Sequence, residues 1–277
     1  MVTINGVLTQ QYGVYSATVI IHITGLLLSI VIIISRGEHP FVKGYSWLLY
    51  LGGAIGVATT AFTNFAFSRI SVSSILALGL FGQSITGLII DQYGWLDMPV
   101  NGFKKYKIFG LFLLLLGIIS MTNNFDLLAV VFSFLSGVFI VVSRTLNAKL
   151  SGYTSVHTST FYNYLIGLLV TIPVFFIFGR GETGFTNFVF SPKIYIYFGG
   201  MIGLGVVLLS NITVMKISAF YLSLFLFIGQ VFSGILIDVI ISREFSPRNM
   251  ISGILVAAGL SVNLLLDRRG NASKGTE

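Results

Sequence analysis

Gly82-Gln83-Ser84-Ile85-Thr86-Gly87-Leu88-Ile89-Ile90-Asp91 returns nearly unchanged as Gly229-Gln230-Val231-Phe232-Ser233-Gly234-Ile235-Leu236-Ile237-Asp238. Both stretches place Gln, Gly and Asp identically, and both lie inside long apolar runs. An amide is costly to desolvate in such a run and a carboxylate costlier still, so two copies point to a duplicated membrane unit with a function.

The surrounding chain has the composition of a membrane protein. It is 55% hydrophobic and only 9% charged, with a mean hydropathy of +0.93, where a soluble domain carries about 25% charged residues. Apolar segments of helix-spanning length, about 17–25 residues, are read at 14–35, 46–67, 71–92, 107–122, 127–147, 155–178, 194–214, 217–241 and 249–266, nine in all. The connectors are short and hold most of the charges, so a single all-α polytopic bundle is predicted. Barrel strands of about ten residues alternate in polarity, whereas Leu111-Phe112-Leu113-Leu114-Leu115-Leu116 is apolar on every side. The absence of cysteine excludes disulfide frameworks, thiolate metal sites and Cys nucleophiles. No Lys or Arg precedes an apolar stretch in the first twelve residues, so no cleaved signal peptide is expected.

The net charge of +7 is a matter of loop distribution here, and a nucleic-acid partner is not expected. Eleven of the sixteen Lys and Arg fall on one side: Arg36, Lys43, Lys104, Lys105 and Lys107, then Arg144, Lys149, Lys216, Arg268, Arg269 and Lys274. Arg69, Arg180, Lys193, Arg243 and Arg248 fall on the other. The rich side is expected to be cytoplasmic. With nine spans, that puts the C-terminus inside and the N-terminus outside.

Aligning the halves extends the opening match. Asn5, Leu8 and Gly25 pair with Asn147, Leu150 and Gly167 at an offset of 142. Gly52-Gly53-x-x-Gly56 pairs with Gly199-Gly200-x-x-Gly203, and Asn64 with Asn211, at 147. A longer loop at 179–193 and a shorter one near 242–248 absorb the shifts. The second unit, 125–267, holds five helices, and the first, 1–124, holds four; 268–277 is a cytoplasmic tail. A five-helix unit followed by its duplicate must invert, the arrangement used by secondary transporters for alternating access. The first helix of the ten-helix pattern is expected to be missing, because the segment matching 127–146 would lie upstream of Met1; either the protein has nine helices or its start lies inside a longer reading frame.

Asn5-x-x-Leu8, Gly-Gly-x-x-Gly and Gly-Gln-x-x-x-Gly-x-x-x-Asp resemble the bacterial inner-membrane family of the drug/metabolite transporter superfamily, built of single or tandem five-helix units with the EamA-like fold. The resemblance covers nearly the whole chain. It implies a two-lobed bundle that moves small metabolites or drugs, often by efflux, through a central cavity. A rival reading is a non-transporting membrane subunit or assembly factor, a truncated paralogue, for which the missing helix is the best support.

Several polar residues lie inside the spans. Gln83 and Gln230 are candidate substrate hydrogen-bonders, or amides that tie helices together. Asp91 and Asp238, about 12 Å further along their helices, would mark opposite mouths as coupling groups, or meet interfacial water or a loop Arg. His22 shares a face with Thr18, Gly25 and Ser29, and the matching helix carries Thr160, Tyr164, Gly167 and Thr171. It is a candidate for substrate binding or proton coupling, against a neutral histidine bonded to a neighbouring helix; Asn163 is a similar candidate. Asn64 and Asn211 could line a polar path or bond helix to helix. The Gly52 and Gly199 segments read as close packing. Arg144 could attract an anionic solute, but a long side chain near a helix end is expected to snorkel to the headgroups. Phe161, Tyr162, Tyr164, Tyr195, Tyr197 and Tyr221 suit interfacial belts or cavity walls.

No His-Glu-x-x-His, P-loop or Gly-x-Ser-x-Gly occurs, so neither an enzyme, a metal site nor a bound cofactor is expected. No Glu lies within an apolar span, which favours a neutral, zwitterionic or anionic solute over an organic cation. The expected partners are the lipid bilayer and a small-molecule solute, and a homodimer is compatible with the sequence.

Overall fold

The computed structural model describes residues 1–41, 44–98, 126–214 and 216–237, with isolated positions between 100 and 116 and between 247 and 258. Among the described residues there are nine α-helices and no strand: α1 (Val2–Tyr12), α2 (Val14–Arg36), α3 (Leu51–Phe67), α4 (Val72–Tyr93), α5 (Leu127–Tyr153), α6 (Val156–Phe178), α7 (Thr183–Thr186, one turn), α8 (Gly199–Thr213) and α9 (Ala219–Ile237). Among the described residues, six stretches are long and apolar enough to cross a membrane: Val14–Arg36, Trp47–Phe67, Ser74–Tyr93, Leu127–Tyr153, Val156–Phe178 and Ile194–Thr213. They fall on six of the nine expected spans. A seventh, 217–241, is met by α9 as far as its described residues reach; of 107–122 and 249–266 only isolated positions are described.

Residues 2–12 precede the first expected span, and α1 adds a short helix there. Eleven residues containing Asn5, Gln10 and Gln11 are too short and too polar to register in a window of about twenty apolar positions. Asn5 and Leu8 are the sequence partners of Asn147 and Leu150 in the last turns of α5, so α1 matches the end of the helix thought to be absent. Tyr12 anchors it. Its hydroxyl donates to the Val189 carbonyl at 2.8 Å, accepts from the Ser191 N–H at 3.0 Å and pairs with the Tyr197 hydroxyl. Gly13 then turns the chain with φ 98°, and a Cβ there would also strike the Glu182 carboxylate, so this junction suits glycine on two grounds.

The start of α2 is capped from far away in sequence. Glu182 accepts from the N–H groups of Tyr15 and Ser16 at 3.0 and 2.8 Å and from the Ser16 hydroxyl at 2.8 Å. A carboxylate there satisfies orphan donors and complements the helix dipole. Glu38, just past α2, meets the start of α6 through side chains, beside the Ser155 hydroxyl that caps the helix by accepting from the Thr158 N–H. It accepts from the Ser155 hydroxyl at 2.5 Å and pairs with His157 Nδ1 at 2.8 Å. Each of these two helices thus begins against a carboxylate from the loop that follows the other.

In a bilayer, apolar transfer does not drive helices together, so close packing and interhelical hydrogen bonds must. α5 lies along α3 and α4, α2 along α6, and α9 along α4. Glycines permit the approach: a Cβ on Gly82 would run into the Phe134 carbonyl, one on Gly137 into the Gly79 carbonyl, and one on Gly53 into the Asn163 carbonyl. Leu27, Val31, Ile34, Phe176, Ile177 and Leu209 are exposed. Their positions on spanning helices give the bundle an apolar exterior suited to lipid.

Candidate functional site

A stripe of residues on each of several helices faces one cavity of about 220 Å³. α3 contributes Gly56, Thr59, Thr60, Thr63 and Asn64, spaced three and one apart along one helical face. α8 contributes Gly203, Val206, Val207, Ser210 and Asn211, each 147 residues further on. Gln83 of α4 and Gln230 of α9 obey the same offset. Asn5 and Asn147, Val2 and Arg144, and His22 and Tyr164 are related by 142. The wall is therefore built largely from equivalent positions of the two sequence halves.

The hydrogen bonds follow the same exchange. Asn64 Nδ2 donates to the Thr18 hydroxyl at 3.4 Å, and Asn211 Nδ2 donates to the Thr160 hydroxyl at 3.3 Å. A Cβ on Gly25 would strike the Tyr164 ring, and one on Gly167 the His22 ring. A Cβ on Gly52 would strike Asn147 Oδ1, and one on Gly199 Asn5 Oδ1. In every pair, the partner of a residue from one half comes from the equivalent place in the duplicated pattern.

All six residues nominated for substrate binding, Gln83, Gln230, Asn64, Asn211, His22 and Asn163, line this cavity. His22 is buried, with Nδ1 against its own Thr18 carbonyl at 2.8 Å and its ring 5.9 Å from that of Tyr164. Its bond is thus to its own helix, where a neighbouring helix was the expected partner. Asn163 Oδ1 accepts from Asn147 Nδ2 at 2.7 Å. No hydrogen bond of Gln83 or Gln230 falls among the described residues, and both amides stay available to a solute.

Asp91 is not in the wall, and its hydrogen bonds go to the start of α9 rather than to a loop arginine. It is 2% exposed, accepting from the Ser218 hydroxyl at 2.5 Å and from the N–H groups of Ala219 and Phe220 at 3.1 and 3.2 Å. Its carboxylate caps α9. Asp238 lies outside the described residues. The Asp-containing decapeptide therefore divides its tasks: Gly82 packs α5, Gln83 faces the cavity, Gly87 lets the Phe220 backbone approach, and Asp91 holds the start of α9.

Arg144 overturns the snorkelling expectation. It is 5% exposed, lines the cavity and donates through Nη2 to the Ser223 hydroxyl at 2.9 Å. Its place on the α5 stripe Ser136, Ile140, Ser143, Arg144 and Asn147 fixes this direction, because those spacings keep one helical face. It also leaves the loop count, where ten cations still face five. Asn5, Asn147 and Ser143 carry no expectation as wall residues, and Tyr164, expected in a belt or a cavity wall, lies in the wall. The repeat of Asn5 at Asn147 was the signal that could have found that pair. Among the described residues, no group of His, Cys, Asp or Glu is arranged to hold a metal ion. Outside the spans, the Ser155 hydroxyl, helped by His157, holds the Glu38 carboxyl below the usual range.

No curated protein matches the chain. A crystal structure described only as that of a protein superimposes with a TM-score of 0.66 at 15% identity, covering 92% of this chain and 88% of the other, which shows a shared fold. The sequence profile described as "Putative inner membrane exporter, YdcZ" matches residues 1–120 and 128–262. Together with the apolar spans, that match makes this a multi-pass inner membrane protein, and the chain belongs to the YdcZ family, a drug/metabolite transporter-type family.

Proposed function

We propose that the chain is a secondary transporter that moves a small solute through the central cavity by alternating access between two inverted repeats, 1–124 and 125–267. The observation that carries this reading is the exchange of equivalent positions around the cavity wall. A site assembled from two copies of one unit, related by inversion, has two nearly equivalent arrangements open to opposite faces. The two separately matched segments of the family profile support the duplication, and the family description supports outward movement. The basic loops put the C-terminus at the cytoplasmic face. The reading requires no enzymatic step and no cofactor, and its partners are the bilayer and the solute, in a monomer or homodimer.

The test is a screen of metabolites for thermal stabilisation of the purified protein, followed by Gln83→Ala and Gln230→Ala. Each variant is expected to weaken a true solute by about tenfold, the worth of about one hydrogen bond, and to slow its movement into proteoliposomes. A stabilising solute indifferent to both changes would refute the placement of the site. Binding without movement would favour the non-transporting subunit. Because the chain has no cysteine, single cysteines at Gln83 and Gln230 also report access from each face. Labelling of both positions from one face only, whether or not the solute is present, argues against alternating access.

A further inference from the structure

We infer that the cavity takes a small organic carboxylate, whose anionic head group is held by Arg144; this rests on the transport reading above and names its substrate class. The Arg144 side chain is only 5% exposed, and among the described residues it donates to Ser223 while Nε and Nη1 have no partner. Arginine presents five N–H donors in a planar fork that matches an oxyanion. No ion pair of Arg144 falls among the described residues; Asp91, the nearby carboxylate, is hydrogen-bonded to Ser218, Ala219 and Phe220.

Among the described residues, the cavity wall holds no Asp or Glu side chain, and Arg144 is its one Lys or Arg, so the local field favours an anion. The equivalent position in the first half is Val2, which lines the same cavity. The wall thus has an apolar residue at one of the two equivalent places and a cation at the other, so the charge is present in one copy alone. Ile75, Leu76, Ile140 and Leu226 offer an apolar surface for a carbon skeleton. A cavity of about 220 Å³ has the room of about seven water molecules, which suits a carboxylate with a short organic body better than a large amphiphile.

The experiment uses the full chain in detergent. Thermal stability is read in millimolar sodium benzoate, glutarate and glutamate, against benzamide, glutaramide and inorganic phosphate, at ionic strength fixed with sodium chloride. At least one carboxylate is expected to raise the melting temperature while its amide does not. Arg144→Gln should weaken that response by about tenfold or more, and Arg144→Lys by less. Ser223→Asp guards against a folding artefact: it supplies an internal counterion, so the protein should stay folded and lose the carboxylate response. Equal responses in wild type and Arg144→Gln overturn the inference. So do amides as effective as carboxylates, a response to phosphate alone, no response to any carboxylate, and an undiminished response in Ser223→Asp. Charge-dependent binding without movement in proteoliposomes sinks the transport reading and spares the site. Movement of an uncharged solute that needs Gln83 but not Arg144 does the reverse.

Discussion

Asp91→Ala separates a structural carboxylate from a coupling one. The side chain is 2% exposed and accepts three hydrogen bonds at the start of α9, from the Ser218 hydroxyl and the Ala219 and Phe220 N–H groups. Truncation leaves two backbone donors and one hydroxyl buried without acceptors. At about 1–3 kcal/mol for each stranded group, and allowing Ser218 to turn elsewhere, the loss is about 3 kcal/mol or more. Asp91→Asn keeps one carbonyl oxygen and brings N–H groups with no acceptor, so about half that loss is expected. The assay is unfolding of the purified protein in mixed micelles by titrated denaturing detergent, with the fold checked by circular dichroism. If Asp91 is a cap, stability falls in the order wild type, Asn, Ala, and a residual transport rate keeps its pH dependence. Wild-type stability in both variants, with the pH dependence of transport abolished, would refute the assignment and return Asp91 to proton coupling.

The Glu38 carboxyl is held below its ordinary value of 4.5 by the Ser155 hydroxyl first and His157 second. A lowered folded value means that its contribution is complete above the unfolded value and fades as pH falls through the folded one. Wild type should therefore lose thermal stability below about pH 4.5 more steeply than Glu38→Gln, which at neutral pH should be less stable by about 1 kcal/mol; parallel curves would contradict the pairing. Gly53→Ala drives a Cβ into the Asn163 carbonyl, whereas Gly205 has nothing within 4 Å. The first should cost about 1–3 kcal/mol, and Gly205→Ala should be neutral or gain up to about 1 kcal/mol from helix propensity, as read in the same micelle titration.

The spans and the duplication were legible because both are patterns of many residues. A run of twenty apolar positions or a ten-residue repeat survives local exceptions. The nominated amides and the His22 imidazole were legible for a related reason: a polar group deep in an apolar run must face something polar, and here they face one cavity. What escaped the sequence depended on partners remote along the chain. Asp91 finds its donors at 218–220, across an interface that no local pattern encodes. Arg144 was misread because a cation near a helix end ordinarily reaches the headgroups. Its own helix held the contrary signal, since Ser136, Ser143 and Asn147 form a polar stripe on the same face. Helix α1 escaped because its apolar length is below a span, and its fixation comes from Tyr12 and the 188–197 segment.

The duplication itself sorts the wall into two classes of residue. At Gly56 and Gly203, Asn64 and Asn211, and Gln83 and Gln230, both copies keep the same side chain. These positions set helix separation or present amides, and a cavity that must work in two related arrangements has equal need of them in each. At Val2 and Arg144, His22 and Tyr164, and Thr59 and Val206, the copies differ. A solute is not itself two-fold symmetric, so the groups that tell one end of it from the other must come from places where the copies have diverged. Arg144 is the strongest such departure, because it brings a permanent charge to one copy alone. The physical expectation is a split in mutant behaviour: changes at the shared positions alter all transport alike, whereas changes at the diverged positions alter which solute is chosen.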